Sequence, residues 1–98
     1  MTKVVYVSGP MSGYPDHNFP AFNEAAKGLL EDGYWVINPA DGGVVDGWEW
    51  SDYLRQDIKD LMAADAIYML PDWRYSRGAR LEYTIATELG MDVMGAAV

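Results

Sequence analysis

The sequence contains no cysteine and only one histidine, His17, among its 98 residues. The lack of cysteine excludes disulfide bonds and a thiolate nucleophile. His17 stands alone in a polar loop, which argues against a Ser–His–Asp triad. No group of histidines and carboxylates has the spacing of metal ligands, so we expect no metal site. Neither a Walker loop nor a GxGxxG fingerprint is present, and no cofactor is expected.

Basic residues and long apolar runs are also scarce. The chain has seven lysines and arginines and 15 acidic residues, which give a net charge of −8 and a pI of about 4.3. This balance argues against binding of polymeric nucleic acid, but a few local donors suffice for a mononucleotide. No apolar run approaches the roughly 20 residues of a membrane span. Residues 1–5 are strand-like and carry no signal-peptide pattern, so we expect a cytoplasmic protein.

The chain alternates β-branched or aromatic segments with segments of helical periodicity. The predicted strands are residues 3–8, 34–38, 66–70 and 91–96, and the predicted helices are residues 19–32, 51–63 and 78–89. This alternation predicts a single α/β domain over residues 1–98, a minimal Rossmann-like or flavodoxin-like fold of three layers. Its four-stranded parallel sheet is expected in the order 2-1-3-4. Ligands bind such sheets beyond the carboxyl ends of strands 1 and 3, which here lead into loops 9–18 and 71–77.

Helical spacing also predicts the side chains that face the core. They are Phe22, Ala25, Ala26, Leu29 and Leu30 in the first helix, Leu54, Ile58, Leu61 and Met62 in the second, and Leu81, Ile85, Ala86 and Leu89 in the third. Aromatic residues make up 13% of the chain, which is high for its size. Some of Tyr14, Trp48, Trp50, Trp73 and Tyr75 are therefore expected to face a ligand or a partner chain.

The loop after the first strand is the first candidate for ligand binding. Its glycines, in the segment Gly9-Pro10-Met11-Ser12-Gly13, allow backbone N–H groups to approach an anion. A tight turn is the alternative explanation. In the second helix, Asp57 borders the predicted apolar line, so it is a candidate for a carboxylate that points over the edge of the sheet. Asp60 fits a solvated helix face.

The segment from Ser76 to Glu82 is the most informative in the chain. Ser76, Arg77 and Gly78 precede a helix and suit an anion. Glu82 follows one turn later on a line that otherwise faces inward, so its carboxyl group is desolvated unless it serves a ligand. A contact with the helix dipole is the alternative for Glu82. Tyr6 is either a core tyrosine or a hydroxyl that orients a carboxylate or a sugar.

Several motifs together resemble the nucleoside 2-deoxyribosyltransferase-like superfamily, which includes 2′-deoxynucleoside 5′-monophosphate N-glycosidases. The similarity is greatest to a short branch found in phages and bacteria, and it covers nearly the whole chain. The motifs are YVSGPMSG at 6–13, NFPAF at 18–22, NPA at 38–40, DI at 57–58, ADAI at 64–67 and SRGARLE at 76–82.

The resemblance implies a role for each matching residue. Glu82 corresponds to the nucleophile, Tyr6 to the tyrosine beside it, and Asp57 to the aspartate that handles the base or a sugar hydroxyl. The residues implied to hold sugar and phosphate are Gly9, Pro10, Met11, Ser12, Gly13, Ser76, Arg77 and Gly78. The implied activity is cleavage or transfer at the base–sugar bond of a nucleotide.

Two alternatives to an enzyme stay open at this point. The same pocket would suit a protein that binds or sequesters a nucleotide without turnover. The second alternative is a structural or interaction protein whose exposed tryptophans contact a partner. The high aromatic content and the oligomeric state common in the resembled family both predict a homo-oligomer, most simply a homodimer.

Overall fold

The fold is described from a computed structural model that covers residues 2–98. Met1, the first residue of the strand-like N-terminal segment, lies outside the described residues. The strands are β1 (Val4–Ser8), β2 (Trp35–Ile37), β3 (Ala66–Met69) and β4 (Asp92–Gly95). The helices are α1 (Phe19–Glu31), α2 (Trp50–Leu61) and α3 (Arg77–Glu88), and short 3-10 turns span Pro15–Asn18, Pro39–Gly42 and Trp73–Tyr75. Each predicted helix and strand is present, with ends that differ by one or two residues.

The sheet is parallel throughout and has the order β2-β1-β3-β4, which confirms the predicted α/β fold. Tyr6 in β1 is in register with Ile37 in β2 and Ile67 in β3. The strand order reverses between β1 and β3, so their carboxyl ends, Ser8 and Met69, lie side by side. The topology therefore brings the loop after β1 and the loop after β3 together at one edge of the sheet.

Alternate residues of β1 enter two separate cores. Val5 and Val7 pack with Phe22 and Leu29 of α1 on one face of the sheet. Tyr6 points to the opposite face and joins the core that includes residues of α2 and α3. This alternation follows from the two-residue period of a strand. It gives the three-layer arrangement, and it places Tyr6 on the same side of the sheet as α3.

The predicted inner line of α3 is partly wrong. Leu81 and Leu89 are exposed, whereas Ala79, Glu82 and Ala86 are buried. The buried positions are spaced by three and four residues, so they form one stripe of the helix. Leu81 lies beside this stripe, and Leu89 lies beyond the last residue of the helix. The structure therefore places a carboxyl group, rather than a leucine, in the centre of the helix face that packs on the sheet.

Two other apolar side chains differ from the sequence-based expectation, and one of the five candidate aromatic residues is buried. Leu30 and Met62 are exposed although helical spacing placed them inward. Each directly follows a buried leucine, Leu29 or Leu61, so it lies about 100° further around the helix axis and faces solvent. Trp73 is 6% exposed and packs in the core with Tyr83, at 4.5 Å between ring centroids. Trp73 is therefore a core residue, and it is not available to a ligand or a partner.

None of the helices within residues 2–98 is long and apolar enough to cross a lipid bilayer.

Candidate active site

Two hydroxyl groups of β1 hold the carboxyl group of Glu82. The Tyr6 hydroxyl donates to Oε2 at 3.2 Å, and the Ser8 hydroxyl donates to Oε1 at 2.7 Å. Tyr6 and Ser8 are two residues apart on one strand, so both side chains point to the face that α3 covers. All three side chains are buried, with 0%, 1% and 5% exposure for Tyr6, Ser8 and Glu82. The arrangement fixes both carboxyl oxygens inside the protein.

The surroundings of Glu82 favour its protonated form. Burial, together with a smaller effect of the charge of Asp57, raises the pKa of Glu82 to about 8, although the hydrogen bonds from Ser8 and Tyr6 act in the opposite direction. Burial also raises the pKa of Tyr6 well above its usual range, with a contribution from the charge of Glu82. Tyr6 is thus a neutral hydroxyl donor over the whole physiological range. A carboxyl group that is kept from water in this way is typical of active sites.

Asp57 is a second carboxyl group with an unusual pKa. It is half-buried on α2. Burial, followed by the charge of Asp60, raises the pKa of Asp57 to about 6. Asp57 borders a cavity and is also close enough to Glu82 to influence its pKa. The protein therefore contains two neighbouring carboxyl groups of different pKa, one in contact with the cavity and one buried behind it.

The cavity has a volume of about 300 Å³ and lies at the carboxyl end of the sheet. The loop after β1, the start of α1, the loop after β2, the first turns of α2 and the residue before α3 all contribute to it. The side chains and backbone that line it belong to Gly9, Met11, Ser12, His17, Phe19, Pro39, Gly43, Val44, Trp50, Tyr53, Leu54, Asp57 and Ser76. Tyr6 and Glu82 are absent from this lining because both are buried.

The N-terminal end of α3 borders the cavity through Ser76. Its hydroxyl oxygen accepts a hydrogen bond from the backbone N–H of Ala79 at 3.2 Å, so Ser76 caps the helix. The hydroxyl proton of Ser76 is left to donate to an anion. Arg77 extends its guanidinium group over the ring of Trp50, 4.7 Å from the centroid. Gly78 lies behind Trp50 and Leu54, and neither Arg77 nor Gly78 lines the cavity.

The glycine-containing loop after β1 contributes only part of its length to the cavity. Gly9, Met11 and Ser12 line it, whereas Pro10 is buried and Gly13 lies apart from it. Gly13 has a φ of +82°, which favours glycine. A ligand contact for Pro10, Gly13, Arg77 or Gly78 stays a prediction.

The approach to α1 has three successive residues in the left-handed region: Asp16, His17 and Asn18 have φ values of 53°, 55° and 60°. The Asn18 side chain does not cap α1 but donates to the Pro10 carbonyl at 2.8 Å. This bond ties the turn back to the loop after β1. His17, which sequence reasoning treated as an ordinary loop residue, consequently borders the cavity beside Phe19.

A tyrosine anchors the loop between β2 and α2. The Tyr53 hydroxyl accepts from the backbone N–H of Val45 at 2.9 Å and donates to its carbonyl at 3.1 Å. Trp48 packs edge-on against the Tyr53 ring at 5.1 Å. These contacts hold Gly43 and Val44 at the cavity. Sequence reasoning missed Tyr53 because nothing in the local pattern separates it from a surface residue of α2.

Sequence reasoning also missed Ser8, although a usable signal was present. Ser8 follows Tyr6 by two residues in a predicted strand, so a Tyr6 side chain beside Glu82, as the resemblance implies, places Ser8 on the same face. Within residues 2–98, no group of three or more His, Cys, Asp and Glu side chains is arranged to hold a metal ion.

Comparison with known proteins gives a family and a fold. The model of the family described as "Domain of unknown function (DUF4406)" matches residues 3–95. No curated protein matches the chain by sequence.

Among solved structures, a 2-deoxyribosyltransferase from Bacillus psychrosaccharolyticus is similar over 94% of this chain, with 18% identity and a TM-score of 0.74. A 2-desoxiribosyltransferase from Leishmania mexicana is similar over 95% of it, with 21% identity and a TM-score of 0.69. The chain spans 70% and 63% of the lengths of these two proteins. The resemblance found in the sequence is therefore confirmed at the level of the fold.

Proposed function

The chain belongs to the DUF4406 family, and we propose that it breaks the base–sugar bond of a nucleoside or deoxynucleoside 5′-monophosphate, by hydrolysis or by deoxyribosyl transfer. The observation that carries this proposal is the buried Glu82 carboxyl group, held at both oxygens and adjacent to Asp57 on the cavity wall. The fold shared with two 2-deoxyribosyltransferases supports it.

Glu82 acts as the nucleophile in the proposed reaction. In its ionised form, one carboxylate oxygen attacks C1′ of the sugar, a C1′–O bond forms, and the C1′–N bond to the base breaks. The resulting glycosyl ester is resolved by water in a hydrolase or by a second base in a transferase. Tyr6 holds the carboxylate at 3.2 Å and remains protonated throughout.

Asp57 supplies the proton that the leaving base needs. It borders the cavity, and its pKa of about 6 keeps a minor fraction of the group protonated near neutral pH. A carboxyl group with this pKa is suited to general acid catalysis. The departing base nitrogen takes that proton, so charge is balanced when the C1′–N bond breaks.

The phosphate is proposed to lie at the N-terminal end of α3. Ser76 offers a hydroxyl proton there, and the free backbone N–H groups of the first helical turn favour an anion. Gly9, Met11 and Ser12 border the same cavity and would contact the sugar or the phosphate. Arg77 lies against Trp50, next to Ser76, and contributes positive charge at this end of an otherwise acidic protein.

A non-catalytic nucleotide binder is the second candidate, and one observation favours it. With a pKa of about 8, Glu82 is mostly protonated near pH 7 in the free protein, and a protonated carboxyl group is a poor nucleophile. A binder would use the cavity and the end of α3 without ionising Glu82. Turnover separates the two candidates.

The test is release of free base from a panel of ribonucleoside and deoxynucleoside 5′-monophosphates, followed by chromatography. Base release by the unmutated protein together with its loss in Glu82→Gln is the expected result. Glu88→Gln is the matched control, because Glu88 is an exposed residue of the same helix. Binding of the monophosphates should persist in Glu82→Gln, since the amide preserves the size of the side chain and keeps one oxygen that accepts a hydrogen bond. Binding without base release by the unmutated protein would establish the binder instead.

A further inference from the structure

Ser8 is almost completely buried, with 1% exposure. It is the last residue of β1, and its hydroxyl group donates to Glu82 Oε1 at 2.7 Å. We propose that Ser8 is a positioning residue that fixes the plane of the Glu82 carboxylate and leaves Oε2 as the oxygen that attacks the sugar. This inference rests on the proposed function.

The two hydrogen bonds to Glu82 are unequal. An O–H···O bond of 2.7 Å has the usual length, whereas 3.2 Å for the Tyr6 bond lies beyond the usual range. The stronger donor withdraws more electron density from Oε1. Oε2 therefore keeps the more available lone pairs and is the better nucleophile of the two oxygens.

The backbone around Ser8 is held firmly, which makes it a suitable anchor. The Ser8 carbonyl accepts from the backbone N–H of Leu70 at 2.8 Å, so the end of β1 is tied to the residue after β3. At the next position, a Cβ atom on Gly9 would lie 2.7 Å from Leu70 Cβ, which shows how closely the two chain segments approach. Ser8 thus has little freedom to move with Glu82 during a reaction.

Ser8 also affects the charge state of Glu82. The titratable groups that act on Glu82 are Tyr6 on β1 and Asp57 on α2, and burial and Asp57 both favour the neutral carboxyl group. The Ser8 hydrogen bond favours the ionised form, which is the form that attacks C1′. Ser8 therefore opposes the surroundings that keep Glu82 protonated.

The bond to Ser8 can persist through the proposed reaction. When Oε2 bonds to C1′, the ester that forms has Oε1 as its carbonyl oxygen. The base departs with the proton from Asp57, and Ser8 keeps its own proton and continues to donate to Oε1. No proton has to pass through Ser8, which distinguishes it from an acid or a base.

The test begins with Ser8→Ala in the protein without substrate. The pKa of Glu82, measured from the pH dependence of its side-chain carboxyl ¹³C signal, should rise, because a hydrogen bond to the ionised form is lost. Ser8→Thr keeps a hydroxyl and should restore a value close to that of the unmutated protein. Ser8→Cys is similar in size to serine but a weak donor, and it should give a raised pKa even if the alanine variant does not fold.

The kinetic part of the test uses the monophosphate that the unmutated protein turns over. In Ser8→Ala, kcat should fall roughly 10- to 100-fold, as expected for one hydrogen bond to a charged group, with KM nearly unchanged. Ser51→Ala, an exposed serine at the start of α2, is the matched control and should leave both unchanged.

An unchanged Glu82 pKa in both Ser8→Ala and Ser8→Cys would overturn the inference, even for an active enzyme. An unchanged kcat in a folded Ser8→Ala protein would overturn it as well. A raised pKa combined with no base release by the unmutated protein would instead overturn the proposed function, because it would leave the bond between Ser8 and Glu82 established without a reaction. The two failures are therefore distinguishable.

Discussion

The charge of Asp57, on the wall of the cavity, acts on the buried carboxyl group of Glu82. Burial is the main cause that raises the pKa of Glu82 to about 8, and the negative charge of Asp57 contributes to it, while the pKa of Asp57 is about 6. At neutral pH in the free protein, the proton therefore resides on Glu82 and Asp57 is ionised. The proposed mechanism needs the reverse distribution, with Asp57 protonated and Glu82 ionised. This relationship determines how activity should depend on pH.

Base release should show a bell-shaped pH profile. The active form carries one proton on the carboxyl pair, so activity should rise through a pH of about 6, reach a maximum near pH 7 and fall through a pH of about 8. If the two groups titrate independently, Asp57 is protonated while Glu82 is ionised in only about one molecule in a hundred at the maximum near pH 7. The measurement is kcat/KM for one monophosphate from pH 5 to pH 9.

Asp57→Asn supplies the control for this profile. It removes the proposed acid, so kcat should fall, and it removes the charge that raises the pKa of Glu82, so that pKa should decrease. A profile that rises steadily up to pH 9 in the unmutated protein would contradict the assignment of Asp57 as the acid. Such a profile would require only the ionisation of Glu82.

Stability should also depend on pH through Glu82. The pKa of this group is about 8 in the folded protein, whereas the ordinary pKa of an exposed glutamate is 4.5, so the folded state binds the proton more tightly. The resulting stabilisation is fully present below pH 4.5 and is lost as the pH rises through 8. Glu82→Gln cannot ionise, so at pH 9 it should be more stable than the unmutated protein, by on the order of 3 kcal/mol.

The measurement is urea unfolding of both proteins at pH 5, 7 and 9. The difference in the free energy of unfolding should shrink as the pH is lowered, because the unmutated Glu82 is then also neutral. A difference that stays constant over this range would show that Glu82 has an ordinary pKa in the folded protein.

Most of the fold could be predicted because the chain alternates two periodicities. The order of the sheet and the meeting of the loops after β1 and β3 follow from that alternation and from the preference for right-handed crossovers. The pairing of Tyr6 with Glu82 was implied only by the resemblance to a known superfamily, and the structure shows it as a hydrogen bond of 3.2 Å.

The parts that sequence reasoning missed depend on contacts between distant residues. Ala86 was correctly placed on the inner line of α3, but Leu81 and Leu89 were placed there in preference to Ala79 because leucine dominates any apolar pattern, yet small side chains are the ones that pack here. His17 reaches the cavity only because three residues adopt positive φ values. Asp, His and Asn are the non-glycine residues most enriched in this conformation, but residue type alone does not predict three of them in succession.

Ser76→Ala should weaken binding of a 5′-monophosphate by roughly 1–3 kcal/mol, the usual cost of losing a bond to a charged group. Binding of the corresponding nucleoside, which lacks the phosphate, should change much less. Isothermal titration calorimetry with Glu82→Gln as the background avoids turnover during the measurement. Ser76→Thr retains both the helix cap and the hydroxyl donor, and it should bind like the parent. Equal losses for nucleotide and nucleoside would place the phosphate elsewhere.

The protein should be a homo-oligomer, most simply a dimer. Tyr75 and Leu81, on the turn before α3 and on its outer face, are 85% and 41% exposed. Light scattering should therefore give a mass of at least twice the 10.9 kDa of one chain at micromolar concentration. A mass of 10.9 kDa under these conditions would contradict the prediction.

Gly9→Ala should destabilise the protein, and Gly28→Ala should not. A Cβ atom at Gly9 would lie 2.7 Å from Cβ and 2.8 Å from Cδ1 of Leu70, so either the loop after β1 or Leu70 would have to shift. Overpacking of this kind typically costs about 1–3 kcal/mol. Gly28 lies within α1 with no heavy atom within 4 Å of such a Cβ, so alanine there should stabilise the helix by roughly 0.5–1 kcal/mol. Urea unfolding of both variants measures the two effects.

Because Gly9 follows Ser8 directly, the shift caused by Gly9→Ala should also disturb the bond between Ser8 and Glu82. The Glu82 pKa should then rise in this variant and remain unchanged in Gly28→Ala. Equal stability of the two variants would show that the end of β1 is looser than the contact between Gly9 and Leu70 indicates.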